Sequence, residues 1–240
     1  MMLTDKTALV TGGSRGIGRA IVRRLAADGA RVVFSYREGK DAADELVREL
    51  AGRAVAVRAD QEDVGTIDAL FEPVGESLDI VVNNAAVNPH RPIAETTGDD
   101  FDRVLTVNTK YPLLVMRRAE ALMPDGGRIV NVSTLNTVLP APGHALYAAS
   151  KAALERLTSV AAREFGPRGI TVNSVSPGAT DTDLFRETNP PEAEEQAKML
   201  TALGRLGRPE DIANVVALLI GPDGGWITGQ NLRASGGMLF

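Results

Sequence analysis

Tyr147 and Lys151 stand four residues apart inside a helical pattern, so a phenol and an ammonium share one helix face a turn apart. Tyrosine ordinarily titrates near ~10. A neighbouring cation favours the phenolate and lowers that value, which prepares a general acid/base. Alone, such a pair recurs on many solvated helices and carries little. Two further features give it weight. Ser133 and Thr134 place hydroxyls at the end of an apolar, β-branched run. Far upstream, Thr11-Gly12-Gly13-Ser14-Arg15-Gly16-Ile17-Gly18 follows the run Thr7-Ala8-Leu9-Val10 and opens a helical stretch. Glycines there permit a sharp turn and close backbone approach, while the helix start offers free N–H groups and a positive dipole end. A strand, turn and helix of this kind bind the pyrophosphate of a dinucleotide. The spacing is Gly-x3-Gly-x-Gly, not the commoner Gly-x-Gly-x2-Gly.

The elements that must hold these groups alternate along the chain. Short β-branched runs are expected as strands at Thr7–Val10, Arg31–Ser35, Ala54–Arg58, Asp79–Asn83, Gly127–Ser133, Gly169–Val175 and Asn231–Ala234. Helical patterns separate them. Ile17, Ile21, Val22 and Leu25 recur at helical spacing before Gly29, and Tyr147 to Phe165 forms a second such stretch ending at Gly166-Pro167. Strands this apolar are covered on both faces. The expectation is a single α/β domain over residues 1–240, a doubly wound, Rossmann-like parallel sheet of about seven strands. No repeat, low-complexity stretch or linker divides it. Residues 181–207 fit neither strand nor regular connector. They carry Pro190-Pro191, acids at Glu192, Glu194 and Glu195, and Phe185, Met199 and Leu200. Following a strand's C-terminal end, this segment is expected to be a substrate-binding lid; a solvated surface helix is the alternative.

Composition narrows the chemistry. The 240 residues are 44 % hydrophobic, enough for one large buried core, and the net charge of −5 invites neither nucleic acid nor anionic lipid. With no cysteine, thiolate metal sites, disulfides and cysteine nucleophiles are excluded, and two histidines make a histidine metal site implausible. Asp5-Lys6 precedes a strand rather than a signal-peptide core, and no apolar run reaches membrane-spanning length. A soluble, cytoplasmic protein is expected.

Taken together, the motifs resemble the short-chain dehydrogenase/reductase family. The matching pieces are Thr11-Gly12-x3-Gly16-x-Gly18, Asp60, Asn83-Asn84-Ala85-Ala86 and Asn108 in Val107-Asn108-Thr109. Ser133-Thr134, Tyr147-x3-Lys151 and Pro177-Gly178-Ala179-Thr180-Asp181-Thr182 complete the set, in order along essentially the whole chain. Ala86 stands where glycine is usual. The resemblance implies hydride transfer between a nicotinamide cofactor and a carbonyl or alcohol. It implies that Tyr147 protonates the carbonyl oxygen and that Lys151 lowers its pKa and binds the nicotinamide ribose. A hydroxyl of the Ser133-Thr134 pair polarises the carbonyl, and Asn108 holds a water relay to the lysine. The family's serine position, thirteen residues before Tyr147, falls on Thr134; Ser133, fourteen before, matches a spacing that some members use. Successive strand residues point to opposite faces, so one of the two faces the site. Thr134 is favoured, with Ser133 as the alternative.

Cofactor contacts follow from the same resemblance. The Gly12, Gly13, Ser14, Arg15, Gly16, Ile17 and Gly18 turn takes the pyrophosphate. Asp60 and Gln61 fall at the adenine, and Asn84 and Ala85 lie against the cofactor, with Asn83 structural. After the Pro177-Gly178 turn, Thr180 and Thr182 are placed for the carboxamide. The second strand ends Phe34-Ser35-Tyr36-Arg37, without the carboxylate that binds the free ribose hydroxyls of NAD. Arg37 and Arg15 instead suit a 2′-phosphate, with Glu38 expected to point outward. NADP(H) is therefore the expected cofactor.

The expected activity is NADPH-dependent reduction of a small-molecule ketone. A 3-oxoacyl-carrier-protein reductase is the alternative. Such enzymes tend to carry a basic rim, yet Met123-Pro124-Asp125-Gly126-Gly127 has only an acid, and Arg168 is the available cation. A catalytically silent, NADP-binding regulator on the same fold is a third reading, which retention of Tyr147 and Lys151 disfavours. His144, three residues before Tyr147, either lines the substrate entrance or is structural, as is His90. The resemblance also implies a homo-oligomer, a tetramer or dimer. Tyr147–Phe165 and Gly236-Gly237-Met238-Leu239-Phe240 are the candidate contact surfaces.

Overall fold

Alternation along the strands divides the core into two layers, one on each side of a sheet. The computed structural model describes residues 2–189 and 192–238, so Pro190, Pro191, Leu239 and Phe240 lie outside the described residues. Strand β1 (Thr7–Val10) sends Ala8 and Val10 to one face and Leu9 to the other. Strands β2 (Arg31–Tyr36) and β4 (Ile80–Asn83) do the same, with Val32, Phe34, Ile80 and Val82 opposite Val33 and Val81. Between these run α1 (Gly16–Ala27), α2 (Lys40–Glu49), β3 (Ala54–Arg58) and a short α3 (Ile67–Phe71).

The second half continues with α4 (Gly98–Leu105), α5 (Tyr111–Glu120), β5 (Arg128–Val132) and α6 (Ala145–Phe165). Then come β6 (Thr171–Pro177), α7 (Asp183–Thr188), α8 (Ala193–Leu200), α9 (Pro209–Ile220) and β7 (Asn231–Ala234). Side chains of α1 and α9 close one face, where Ile21, Leu25, Ile212 and Val216 are buried. On the other, α3, α5 and α6 supply Leu70, Tyr111, Val115 and Ala161.

All seven strands are parallel, in the order β3-β2-β1-β4-β5-β6-β7. Chain direction across the sheet reverses between β1 and β4, and ligands of such sheets bind outside the carboxyl ends at that point. The expected doubly wound, seven-stranded sheet is what forms. Its boundaries differ from expectation by one or two residues: β5 ends at Val132, and β6 runs on to Pro177.

A buried polar row crosses the sheet behind the crevice. Asn83 Nδ2 donates to Asn131 Oδ1 at 2.8 Å, and Asn131 Nδ2 donates to Thr158 Oγ1 at 2.8 Å. Ser174 Oγ donates to Thr158 Oγ1 at 3.0 Å. Buried polar groups need partners, so this row fixes β4, β5 and β6 against α6 and thereby sets where Tyr147 and Lys151 stand. Asn83 is structural, as expected.

Candidate active site

The glycine turn begins where β1 ends, and its shape depends on missing side chains. Gly12 has φ +67°, in the region that favours glycine. A Cβ on Gly18 would come 2.0 Å from the Gly12 carbonyl oxygen, so no other residue fits there. Asn84 braces the turn from β4: its Nδ2 donates to Thr11 O at 2.9 Å and to Gly12 O at 3.0 Å. Backbone N–H groups of Asn84 and Ala85 donate to Thr11 Oγ1 at 3.0 and 3.1 Å. The Asn84 amide, expected against the cofactor, is thus spent on shaping the loop.

The glycine turn and the Tyr147 region open into one cleft of about 1090 Å³. Every site residue expected from the sequence lines it except Gly13 and Asn108. Gly13 lies behind the turn, where a Cβ would meet Phe34 at 2.6 Å. Asn108 is fully buried within a π-helical turn, Thr106–Lys110, whose geometry recurs at functional sites. Its Oδ1 accepts from Val87 N at 2.9 Å, and its Nδ2 donates to Val87 O at 2.9 Å and Ser150 Oγ at 3.0 Å. These contacts clamp the loop after β4 onto α6 and leave both amide hydrogens engaged. The side chain therefore holds the scaffold rather than reaching toward the lysine.

At the deep end, Ser133 and Thr134 diverge. Ser133 Oγ donates to Glu155 Oε1 at 2.6 Å. Thr134 faces Tyr147 and caps the 3-10 turn Leu135–Thr137, accepting from Asn136 N at 3.2 Å. Burial pushes the Tyr147 phenol above its ordinary value, and the Thr134 hydroxyl pulls it back. Lys151 stands one helical turn along α6 from Tyr147. Lys151 Nζ donates to Val132 O at 2.7 Å, and burial pulls its pKa down to about 7 against an upward pull from Glu155.

That lowering has a consequence for stability. The folded chain releases the Lys151 proton before the unfolded chain does, so folding gains as pH rises from about 7 toward the ordinary lysine value of ~10.4. Urea midpoints of the native protein minus those of Lys151→Met should rise across that window. A flat difference would mean that Lys151 keeps an ordinary proton affinity.

Glu155 was not foreseen. Besides Ser133, its Oε1 accepts from Thr137 Oγ1 at 2.9 Å and Ser176 Oγ at 3.2 Å, tying the ends of β5 and β6 one turn below Lys151. A carboxylate four residues after Lys151 on the same helix face was the available signal.

At the opposite end, both arginines are held by acids that sequence reasoning did not pair with them. Arg15 Nη1 lies 3.0 Å from Glu187 of α7. Arg37 lies 3.3 Å from Glu62 and 3.2 Å from Glu38, whose side chain is turned outward into solvent, as expected. Such exposed pairs hold side chains loosely and exchange readily for a stronger anion. Gln61 lines the cleft beside Asp60, and its side-chain amide is buried without a hydrogen-bond partner. Thr180 Oγ1 donates to Gly178 O at 3.0 Å, and Thr182 caps α7 through Phe185 N at 3.2 Å.

Comparison with known proteins agrees with this architecture. The family model described as enoyl-(acyl carrier protein) reductase matches residues 12–239. A cyclic-di-GMP-binding biofilm dispersal mediator protein of Escherichia coli (strain K12) is 43 % identical over 229 residues, covering 94 % of each chain. Hydroxynaphthalene reductase arp2 of Aspergillus fumigatus is 38 % identical, over 95 % of this chain and 90 % of its own. Among solved structures, the angucycline C-6 ketoreductase LanV with bound NADP superposes with a TM-score of 0.93 at 44 % identity, covering 99 % of this chain and 97 % of that one. The chain belongs to the short-chain dehydrogenase/reductase family of nicotinamide-dependent oxidoreductases.

Proposed function

We propose that this protein reduces an uncharged ketone to a secondary alcohol with NADPH, Tyr147 donating the proton. The observation that carries the reading is the meeting of Tyr147, Thr134 and Lys151 at the buried end of the cleft that begins at the glycine turn. The residues fit the cofactor. Gly12 and Gly18 leave the turn bare, and the N-terminus of α1 directs N–H groups to where a pyrophosphate would lie. Arg15 and Arg37 would take the 2′-phosphate, Asp60 the adenine edge, and Thr180 and Thr182 the carboxamide. NADP in the LanV structure supports the same choice. When bound, NADPH supplies the hydride.

The chain's own groups do the rest. Thr134 Oγ1 and Tyr147 Oη hydrogen-bond the ketone oxygen and orient it. As negative charge grows on that oxygen, Tyr147 Oη gives up its proton to it and Thr134 stabilises what charge remains. Lys151 holds a proton beside the phenol's exit path, and Ser133 with Glu155 keeps the β5 end from shifting. Helices α7 and α8 form the lid of residues 181–207, which excludes water over the substrate.

Two named relatives act on polycyclic aromatic compounds, a hydroxynaphthalene and an angucycline, and this supports a free aromatic ketone as substrate. A carrier-protein substrate is less well supported, because the loop 123–127 beside Arg168 carries an acid, Asp125, and no cation. The family description and the E. coli relative favour two other readings, acyl-carrier-protein chemistry and nucleotide sensing. No described helix is long and apolar enough to cross a membrane. Self-association is expected through α6, which exposes Val160.

Initial rates with NADPH and NADH over free aromatic ketones and a 3-oxoacyl thioester test the proposal. NADPH-dependent turnover of free ketones is expected. Replacing Arg15 and Arg37 together with alanine should weaken NADPH binding roughly tenfold to a hundredfold, with little effect on NADH. Equal losses for both cofactors would remove the 2′-phosphate assignment. NADPH binding without turnover of any ketone would favour the sensing role.

A further inference from the structure

The substrate end of the cleft holds a histidine pair that the chemistry above does not use. His144 directly precedes α6, three positions ahead of Tyr147, so its ring lies about one helical turn from the phenol along the same wall. It is only 7 % exposed. Its Nδ1 is 2.8 Å from Oδ1 of Asn88, on the loop after β4. A carboxamide oxygen only accepts, so the hydrogen of this bond sits on His144 Nδ1. Burial, with His90 adding to it, pushes the imidazole below its ordinary value and keeps the ring neutral at pH 7. In a neutral Nδ1–H ring, Nε2 is an acceptor.

The ring's orientation is fixed from its other side as well. His90 meets it edge-on, with centroids 5.2 Å apart and planes at 80°. His90 itself occupies the space that a side chain at position 143 would need. A Cβ on Gly143 would lie 2.4 Å from His90 Nε2, and Gly143 has φ +81°. Arg91 N donates to Gly143 O at 2.8 Å, joining the two loops. Segments more than fifty residues apart are thus shaped around one imidazole. The residues that α7 and α8 bring to the same cleft include no lysine or arginine: apolar Leu184, Phe185, Ala197 and Leu200 alternate with the acids Asp183 and Glu187 and with Thr188 and Gln196. A carboxylate or phosphate on the substrate would find no cation there, whereas a neutral donor would find Nε2.

Building on the ketone-reductase reading, we propose that His144 is a specificity-determining contact whose Nε2 accepts a hydrogen bond from a hydroxyl of the substrate. The preferred substrates are then uncharged ketones that carry a hydroxyl on the same ring system. Asn88 and His90 are positioning residues that hold the accepting nitrogen toward the cleft.

The test compares kcat/KM for α-tetralone with that for its ring-hydroxylated isomers, using NADPH, in the native protein, His144→Leu and His144→Gln. The native protein should prefer at least one hydroxylated isomer roughly tenfold. His144→Leu should bring that ratio close to one, and His144→Gln, which keeps an acceptor, should retain part of it. Each ratio compares two ketones on one protein, so a general loss of activity or of folded protein cancels. Equal kcat/KM values in the native protein, or a preference that survives His144→Leu, would overturn the assignment while leaving ketone reduction standing. If the native protein reduces other ketones but no tetralone, this inference fails and ketone reduction stands; turnover of no ketone at all removes both.

Discussion

Tyr147→Phe should lower kcat by about a thousandfold, the usual contribution of a positioned acid, and leave NADPH affinity essentially unchanged. Phenylalanine keeps the ring that α6 buries against the cleft wall and removes only the Oη proton. The loss therefore belongs to the chemical step, not to folding or cofactor binding. Turnover of an aromatic ketone and a direct NADPH titration on the same preparation separate these. Because burial raises the Tyr147 phenol, the native enzyme should keep the acid form, and its reductive rate, to higher pH than an ordinary tyrosine would allow. Retention of most activity in Tyr147→Phe would show that another group protonates the product oxygen.

Thr134→Val and Ser133→Ala should differ sharply although the residues are adjacent. Valine matches the shape of threonine and removes the hydroxyl that faces Tyr147, so kcat should drop about a hundredfold, as when one transition-state hydrogen-bond donor is lost. Ser133→Ala breaks the 2.6 Å bond to Glu155, on the scaffold side. It should cost about 1 kcal/mol of stability and only a small part of the rate. Steady-state kinetics beside urea unfolding reads both quantities. The reverse ranking would move the working hydroxyl to Ser133.

That pair also illustrates what could be read before any coordinates. Alternation along a strand correctly says that Ser133 and Thr134 point apart. It does not say which faces the cleft, because β5 ends at Val132 and both residues lie just beyond its ladder. The sheet itself was legible, since each strand is a short apolar run flanked by turn residues and the glycine turn marks where the crevice must be. Tyr147 and Lys151 were legible as neighbours from their helical spacing. Their proton affinities were not, because burial dominates both and depends on elements far away in sequence. Pairings across long separations stayed hidden for the same reason. Nothing local to Arg15 points to Glu187, and nothing local to His144 points to Asn88. Asn84 and Asn108 were recognised by position, but an amide at a given place can shape a loop or hold a ligand with equal local propriety. Only the hydrogen bonds to Thr11, Gly12 and Val87 distinguish the two.

The central claim is that hydride passes from NADPH to a ketone carbon while Tyr147 supplies the proton. The most direct measurement uses NADPH fully deuterated at C4 with an aromatic ketone and locates the label in the product by mass spectrometry and NMR. One deuterium on the carbinol carbon, with the hydroxyl proton drawn from water, is the predicted result. Consumption of NADPH with no label at that carbon, or binding with no alcohol formed, would contradict it.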